Sequence, residues 1–371
     1  MRELNLNLGR IAPFETRTWL EKRYVRSTFQ RPFSGFLGGI HKGGYWVERL
    51  AEEWQSTFRV QHAIPCNSAT SGLLAACMAI AVKSGDIVWA PVYTMSATAA
   101  CAKVLGAKVR FLDIEDDYFC IDYKKPLAEK PYAVIVTNLF GHPAQLESIR
   151  SWCDENSVWM IEDNAQAPFA KEDGIYAGTV GHLGVFSLNI HKHMQTGEGG
   201  VVVTDDHTLA LAVKDATNHG ELRQGGITGL NLRMTEPIAA LAVAQLNKGP
   251  TIIEGRRELA QEMTDMVKDF RYIVPPKERD GCQHVYYIWA SKLKDTDRNI
   301  FVQRLNECGF PMNAGYSPLL SEVFKTMTHC PAACELEAKE LITFDICSYS
   351  PNKKQRSMMR EIFKIVGESF R

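Results

Sequence analysis

"AQLESIRSWCDENSVWMIED" (Ala144–Asp163) holds the decision about fold. Residues 144–156 carry apolar side chains at helical spacing, and residues 157–163 form an apolar, partly aromatic run that ends on two carboxylates. A helix that runs straight into a buried strand is half of a βαβ unit. The other half lies upstream, in the β-branched run "PYAVIVTN" (131–138). The same kind of short run recurs in "DIVWAP" (86–91), "AKVRFLDI" (107–114), "LGVFSLN" (183–189) and "GGVVVTD" (199–205). A further helix is predicted over "SATSGLLAACMAIAVKSG" (68–85), with Leu73, Ala76, Cys77 and Ile80 on one face. Strands separated by helices predict an α/β protein with a mostly parallel sheet covered on both faces. In such sheets ligands bind beyond the carboxyl ends of the strands.

The pattern changes after residue 248. "NKGPTIIEGRRELAQEMTDMVKDF" (247–270) reads as a long amphipathic helix starting after Gly249-Pro250. An apolar strand "HVYYIWAS" (284–291), a helix "NIFVQRLNECG" (299–309) and a terminal helix "KKQRSMMREIFKIVGESF" (353–370) follow. Two domains are expected: a large one over 1–248, including the N-terminal segment, and a smaller C-terminal α+β domain over 249–371. A chain of 371 residues is long enough for both.

Composition narrows the function classes. Lys+Arg at 42 against Asp+Glu at 43 leaves a net charge of −1, so there is no general electrostatic pull toward nucleic acid or an anionic membrane. The start, "MRELNLNLGRIAPFETRTW", has no uninterrupted apolar core of a signal peptide, and no run approaches the roughly 18 apolar residues of a membrane helix. A cytoplasmic protein is expected. The ten cysteines are scattered, several inside apolar runs, and predict free thiols rather than a disulfide framework. Cys330 and Cys334 in "HCPAACE" stand beside His329, but no second ligand pair follows at zinc spacing, so no metal is expected.

The chemistry concentrates in "FSLNIHKHMQTGEGGVVVTDD" (186–206) and "IEDNAQA" (161–167). Asp163 closes one strand and Lys192 follows another, so both should face the same crevice. A plain ion pair there would be a weak stabiliser once desolvation is counted. Pyridoxal 5'-phosphate gives the placement a purpose, since it requires an amine for a Schiff base, a carboxylate for its ring nitrogen and a cradle for its phosphate. Lys192 is the candidate amine and Asp163 the candidate carboxylate. "NSATSG" (67–72) opens a helix whose first N–H groups, with the Ser68 and Thr70 hydroxyls, form an anion site. Ser187 offers one more hydroxyl.

These stretches, with "NSATSGLLAA" (67–76) and "GLNLRMTEPIAALAVAQL" (229–246), resemble the DegT/DnrJ/EryC1/StrS family of sugar aminotransferases, in matching order from about Gly39 to the C-terminus. The resemblance implies a fold-type I, aspartate aminotransferase-like architecture and a homodimer with shared sites. It implies Lys192 and Asp163 as catalytic residues. Ser68, Ala69, Thr70, Met95, Gln166, Ser187 and Asn231 are implied around the cofactor, Gln166 near its phenolic oxygen and Asn231 reaching the phosphate of the neighbouring subunit. The implied reaction moves an amino group from glutamate or glutamine to a keto group of a nucleotide-linked sugar, with Lys192 shuttling the proton as general base and acid.

Some positions leave alternatives open. Ala69 stands where many relatives have glycine, and Met95 where they often have an aromatic ring that stacks on the pyridine. Tyr93 is the other candidate for that ring. His191, His219, Arg223 and Tyr316 are candidates for substrate contact. His193 fits local hydrogen bonding or a partner contact as well as substrate binding, and Arg233 fits support of its loop. A keto-cyclitol acceptor and a non-catalytic, cofactor-binding sensor remain alternatives. Related dehydratases have histidine at the position of Lys192.

Overall fold

The computed structural model describes residues 6–30, 43–220 and 228–370. In chain order the first elements are α1 (Trp19–Thr28), α2 (Tyr45–Phe58), β1 (His62–Cys66), α3 (Ala69–Ala79), β2 (Ile87–Pro91), α4 (Ala97–Lys103), β3 (Lys108–Leu112), β4 (Ala133–Thr137), α5 (Leu146–Glu155) and β5 (Trp159–Asp163). A short pair, β6 (Lys171–Glu172) and β7 (Ile175–Tyr176), precedes β8 (Leu183–Ser187), β9 (Gly200–Thr204), α6 (His207–Thr217) and α7 (Glu236–Val267). Seven strands form one sheet in the order β1-β9-β8-β5-β4-β2-β3. The pairs from β3 through β8 are parallel, and β9 runs antiparallel to both its neighbours, β8 and β1. Every residue of β4, β8 and β9 is buried, which is why these strands read as unbroken apolar runs rather than as alternation. The expected α/β architecture is thus present, strand for strand, in the first part of the chain.

The remaining elements are β10 (Ile273–Val274), β11 (Cys282–Gln283), β12 (Trp289–Leu293), α8 (Arg298–Glu307), β13 (Asn313–Ala314), α9 (Leu320–Val323), α10 (Pro331–Glu335), β14 (Leu341–Phe344) and α11 (Lys353–Glu368). A four-stranded sheet, β10-β12-β14-β13, packs with α8, α11 and the far end of α7 around a second apolar core that contains Trp289, Phe301, Phe310, Phe344 and Phe363. Leu8, from the N-terminal segment, also packs into this core.

Two expectations need correction. The long helix begins at Glu236, fifteen residues before the expected start after Gly249-Pro250, and runs through that pair without a break. Proline deletes one backbone bond there, but the helix is pinned from both sides. A Cβ on Gly249 would meet the Phe169 ring at 2.4 Å, so the helix seats against that ring only because the position is glycine. At its other end the Glu236 carboxylate accepts from the N–H groups of Trp46 and Val47 at 2.9 and 3.0 Å, capping α2. The second correction concerns 284–291, where the strand starts only at Trp289. Residues 284–288 leave the sheet: Val285 N–H donates to Gly141 O at 2.9 Å, and Tyr287 N–H to Phe140 O at 2.8 Å. This close approach requires Gly141, at φ +100, whose Cβ would meet the backbone nitrogen of Tyr287 at 2.8 Å.

Candidate active site

β5 and β8 are parallel neighbours, with Asp163 opposite Val185, so the segment that follows β8 comes down beside Asp163. Lys192 sits there, 8% exposed, with its Nζ 4.2 Å from the centroid of the Tyr287 ring. Burial pushes its ammonium below the usual lysine range, while the charges of Asp163, Cys347 and Asp345 pull the other way. A lysine held toward its neutral form is a nucleophilic amine.

Asp163 is also buried. Its Oδ2 accepts from the Thr98 hydroxyl at 2.6 Å and its Oδ1 from Ala165 N–H at 3.2 Å. Burial pushes the carboxyl above its ordinary value, and the Thr98 bond, the Ala165 bond and the Lys192 charge oppose that rise. Gln166 is fixed at both ends of its amide. Its Oε1 accepts from Phe140 N–H at 2.8 Å, and its Nε2 donates to the Tyr316 hydroxyl oxygen at 3.0 Å. Burial pushes the Tyr316 phenol up to about 12, so it keeps its proton and can donate it to a ligand.

A third feature is the N-terminus of α3. Ser68 is its N-cap, with Oγ accepting from Ser71 N–H at 3.1 Å, and Gly72 N–H bonds Ser68 O at 3.0 Å. The N–H groups of Ala69 and Thr70 precede the first intrahelical bonds and point out of the helix end. β9 starts directly against them: a Cβ on Gly200 would lie 2.6 Å from Ala69 N. Gly200 is also the register partner of Ser187. Ser68, Ala69, Thr70 and Ser187 therefore surround one cradle that a side chain at 200 would fill. A phosphate fits it, as an anion among unpaired N–H groups and hydroxyls. Pyridoxal phosphate fits the whole set, since amine, carboxylate and cradle come from adjacent strand ends.

Other expected residues lie elsewhere or carry other contacts. Met95 is 55% exposed on the bend after β2, whereas Tyr93 is fully buried, its hydroxyl bonded to Glu337 and its ring edge-on to Phe140 and Tyr316. Tyr93 is thus a core residue, and Met95 is the one presented to the surface. His191 is exposed, its N–H held by Asn189 Oδ1 at 3.1 Å. His193 is buried and its Nε2 lies 3.0 Å from Val285 O; because a carbonyl only accepts, the ring is the neutral Nε2–H tautomer. Burial pushes it down to about 3. His219 is exposed at φ +62, and Arg223 lies outside the described residues. Asn231 is exposed opposite Asn218 in a short bridge, and the next residue, Leu232, accepts from Asn67 N–H at 2.8 Å. Arg233 bonds Asn218 Oδ1, which ties that loop together.

Sequence reasoning missed Thr98, Tyr287 and Glu337. Thr98 stands in "YTMSAT" with a hydroxyl on the first turn of α4, a detectable signal; Tyr287 was hidden in an assumed strand. Glu337 carries no local signal, because its partners Tyr93 and Tyr316 N–H are remote in sequence. Among the described residues no group of three or more His, Cys, Asp or Glu side chains is placed to hold a metal, and no helix is long and apolar enough to cross a membrane.

Residues 36–346 match the DegT/DnrJ/EryC1/StrS aminotransferase family. GDP-perosamine synthase of Escherichia coli O157:H7 is 30% identical over 284 residues, covering 73% of this chain and 74% of that protein. L-glutamine:2-deoxy-scyllo-inosose aminotransferase of Streptomyces kanamyceticus is 28% identical, covering 76% and 72%. The crystal structure of the aminotransferase TlmJ from Streptoalloteichus hindustanus superposes with a TM-score of 0.87 at 22% identity, over 97% of this chain and 99% of that one. With this fold, this set of side chains at its strand ends and this match, the chain belongs to the DegT/DnrJ/EryC1/StrS aminotransferase family.

Proposed function

We propose that the protein is a pyridoxal phosphate-dependent aminotransferase that moves an amino group from glutamate or glutamine to a keto group of a nucleotide-linked sugar. The observation that carries this reading is the buried pair of Lys192 and Asp163 at adjacent strand ends, beside an anion cradle bounded by Gly200. When bound, the cofactor supplies the electron sink and carries the amino group between donor and acceptor.

The chain's own residues supply the rest. Lys192, whose ammonium burial pushes below the usual lysine range, is the amine that would hold the cofactor's aldehyde and, once displaced, would take and return a proton at the substrate carbon. The Tyr287 ring, its centroid 4.2 Å from Nζ, covers one side of that amine. Asp163 holds the ring nitrogen protonated. Gln166, braced by Phe140 N–H and Tyr316, sits against the phenolic oxygen, and the Tyr316 hydroxyl is free to donate to substrate. Ser68, Ala69, Thr70 and Ser187 would hold the phosphate, with Asn231 assigned to the partner's phosphate and Met95 to the pyridine ring. His191, His219 and Arg223 are assigned to substrate contact.

The exposed apolar side chains of Met95, Ile190 and Leu230, each in a segment that carries proposed site residues, support a homodimer with shared sites. Ten unpaired cysteines, nine of them buried, support a reducing, cytoplasmic setting. Division into a cofactor-binding domain (1–248) and a C-terminal domain (249–371) is supported by the second apolar core, whose buried side chains apart from Leu8 all come from residues 259–366, although the first core also takes in Val285, Tyr287, Leu320 and Leu336. The similarity to the inosose aminotransferase keeps a keto-cyclitol acceptor as the second reading. Turnover with glutamate or glutamine against a panel of nucleotide-linked keto sugars and an inosose tests both; turnover with none of them would contradict the aminotransferase reading.

A further inference from the structure

We propose that Thr98 is a positioning residue for the reaction, which holds Asp163 as a carboxylate in one fixed orientation through its hydroxyl; this rests on the reading that Asp163 meets the pyridine nitrogen. Thr98 is fully buried on the first turn of α4, and its Oγ1 lies 2.6 Å from Asp163 Oδ2. It is the one side-chain hydroxyl bonded to Asp163 among the described residues. The direction of this bond follows from chemistry. A carboxylate accepts only, so Thr98 spends its single proton on Asp163. Its oxygen is then left to accept from the Thr94 hydroxyl, 3.4 Å away, which makes Thr94, Thr98 and Asp163 a one-way chain that ends on the charged oxygen. A neutral Asp163 could keep it only with its proton on Oδ1, the oxygen that accepts from Ala165 N–H.

The need for such a device is physical. Asp163 lies in a buried site where loss of charge is favoured, and a neutral carboxyl there would leave the ring nitrogen without its counter-charge. Ala165 N–H holds the other oxygen at 3.2 Å, so the two bonds together fix the plane of the carboxylate. The charged and titratable groups that face Asp163 are Lys192, from the segment after β8, Cys101 of α4, and Tyr316 from the loop after β13. The Cys101 thiol is pushed well up and the Tyr316 phenol up to about 12, so Lys192 is the one group among the three whose charged form is positive and draws Asp163 toward its carboxylate.

The test compares pyridoxal phosphate with its 1-deaza analogue, which has a carbon in place of the ring nitrogen and makes no use of Asp163. Dissociation constants for both are measured on wild type, Thr98→Val, Thr98→Ser and Asp163→Asn. Thr98→Val keeps the shape and removes the hydroxyl. It is expected to weaken pyridoxal phosphate about tenfold, the loss of one hydrogen bond to a charged group, and to leave the deaza analogue unchanged. The fall of cofactor affinity on acidification should also begin at higher pH, because Asp163 protonates more readily. Thr98→Ser should restore both properties. Equal loss for both ligands in Thr98→Val would mean a packing role and overturn the proposal, as would no loss for either. If Asp163→Asn itself does not alter the preference for pyridoxal phosphate over the analogue, the role of Asp163 fails first, and the proposal with it. Should Thr98→Val not fold, Thr98→Ala with the same two ligands gives the same comparison.

Discussion

Glu162 and Asp163 are adjacent in sequence and equally buried, yet they do opposite things. Alternation along β5 turns them to opposite faces of the sheet. Glu162 is saturated: its Oε1 accepts from Val180 and Gly181 N–H at 2.7 and 2.6 Å, and its Oε2 from Gly178 N–H at 2.6 Å and Asn138 Nδ2 at 3.1 Å. Three of its four bonds pin the 178–181 turn, and the fourth holds Asn138. Asp163 receives two donors, faces Lys192 and keeps capacity to spare. A buried carboxylate with all its oxygen sites taken is structural; one left partly unsatisfied beside a buried amine is held ready for a ligand.

The sharpest way to break this contrast is to neutralise each carboxylate in turn. Asp163→Asn should lower turnover by about a hundredfold or more while leaving the melting temperature near wild type. Glu162→Gln should do the reverse, lowering stability by about 3 kcal/mol, because an amide N–H would face backbone donors, with turnover per folded molecule little changed. Denaturant titrations beside steady-state rates check both, and a large stability loss in Asp163→Asn would erase the distinction.

Acid probes two other buried groups, His142 and His193. His142 is held neutral, with Nδ1 bonded to Pro143 O at 2.6 Å and Nε2 accepting from Arg279 N–H at 3.0 Å. Burial pushes it down to about 4, and His193 to about 3. A histidine whose folded value lies below its unfolded one stabilises fully above the unfolded value, near 6.5. That contribution is lost as pH falls from there toward the folded value, because the unfolded chain binds the proton first. Each should cost about 2 kcal/mol at about pH 5. The raised Glu162 and Asp163 carboxyls act in the opposite sense, so the effect is best read as a difference. Between neutral pH and pH ~5, wild type should lose about 2 kcal/mol more stability than His193→Gln.

Smaller effects should come from the cradle and the rim. Gly200→Ala places a methyl against the Ser68–Ala69 backbone and should weaken cofactor binding about tenfold, as measured by equilibrium dialysis, with a stability loss of about 1–3 kcal/mol. His191→Ala, at an exposed position, should change kcat/KM by less than about threefold. No change at all there would remove His191 from the proposed substrate contacts.

What the sequence made legible was local. The strands of the large sheet announced themselves because burial on both faces leaves an unbroken apolar run, and Asp163 and Lys192 stood out because each sits at the end of such a run. The cradle was readable from a serine-rich helix start. What stayed hidden depends on residues brought together from far apart: Thr98 on Asp163, Tyr287 beneath Lys192, and Glu337 joining Tyr93 to Tyr316. The segment 284–288 misled because its aromatic, β-branched composition suits a strand, while its N–H groups pair with Phe140 and Gly141. Helix α7 misled because Gly249-Pro250 is a start signal by propensity, and tertiary contacts with Phe169 and α2 override it.

The most direct measurement is the visible absorbance of the purified protein with pyridoxal phosphate, before and after L-glutamate, for wild type and Lys192→Ala. Wild type should show the yellow band of a lysine-attached cofactor, which glutamate bleaches toward the near ultraviolet, whereas Lys192→Ala should fold, bind cofactor noncovalently and show neither the attached band nor turnover. A Lys192→Ala protein that still forms the attached band, or that aminates a keto sugar at the wild-type rate, would contradict the assignment of Lys192.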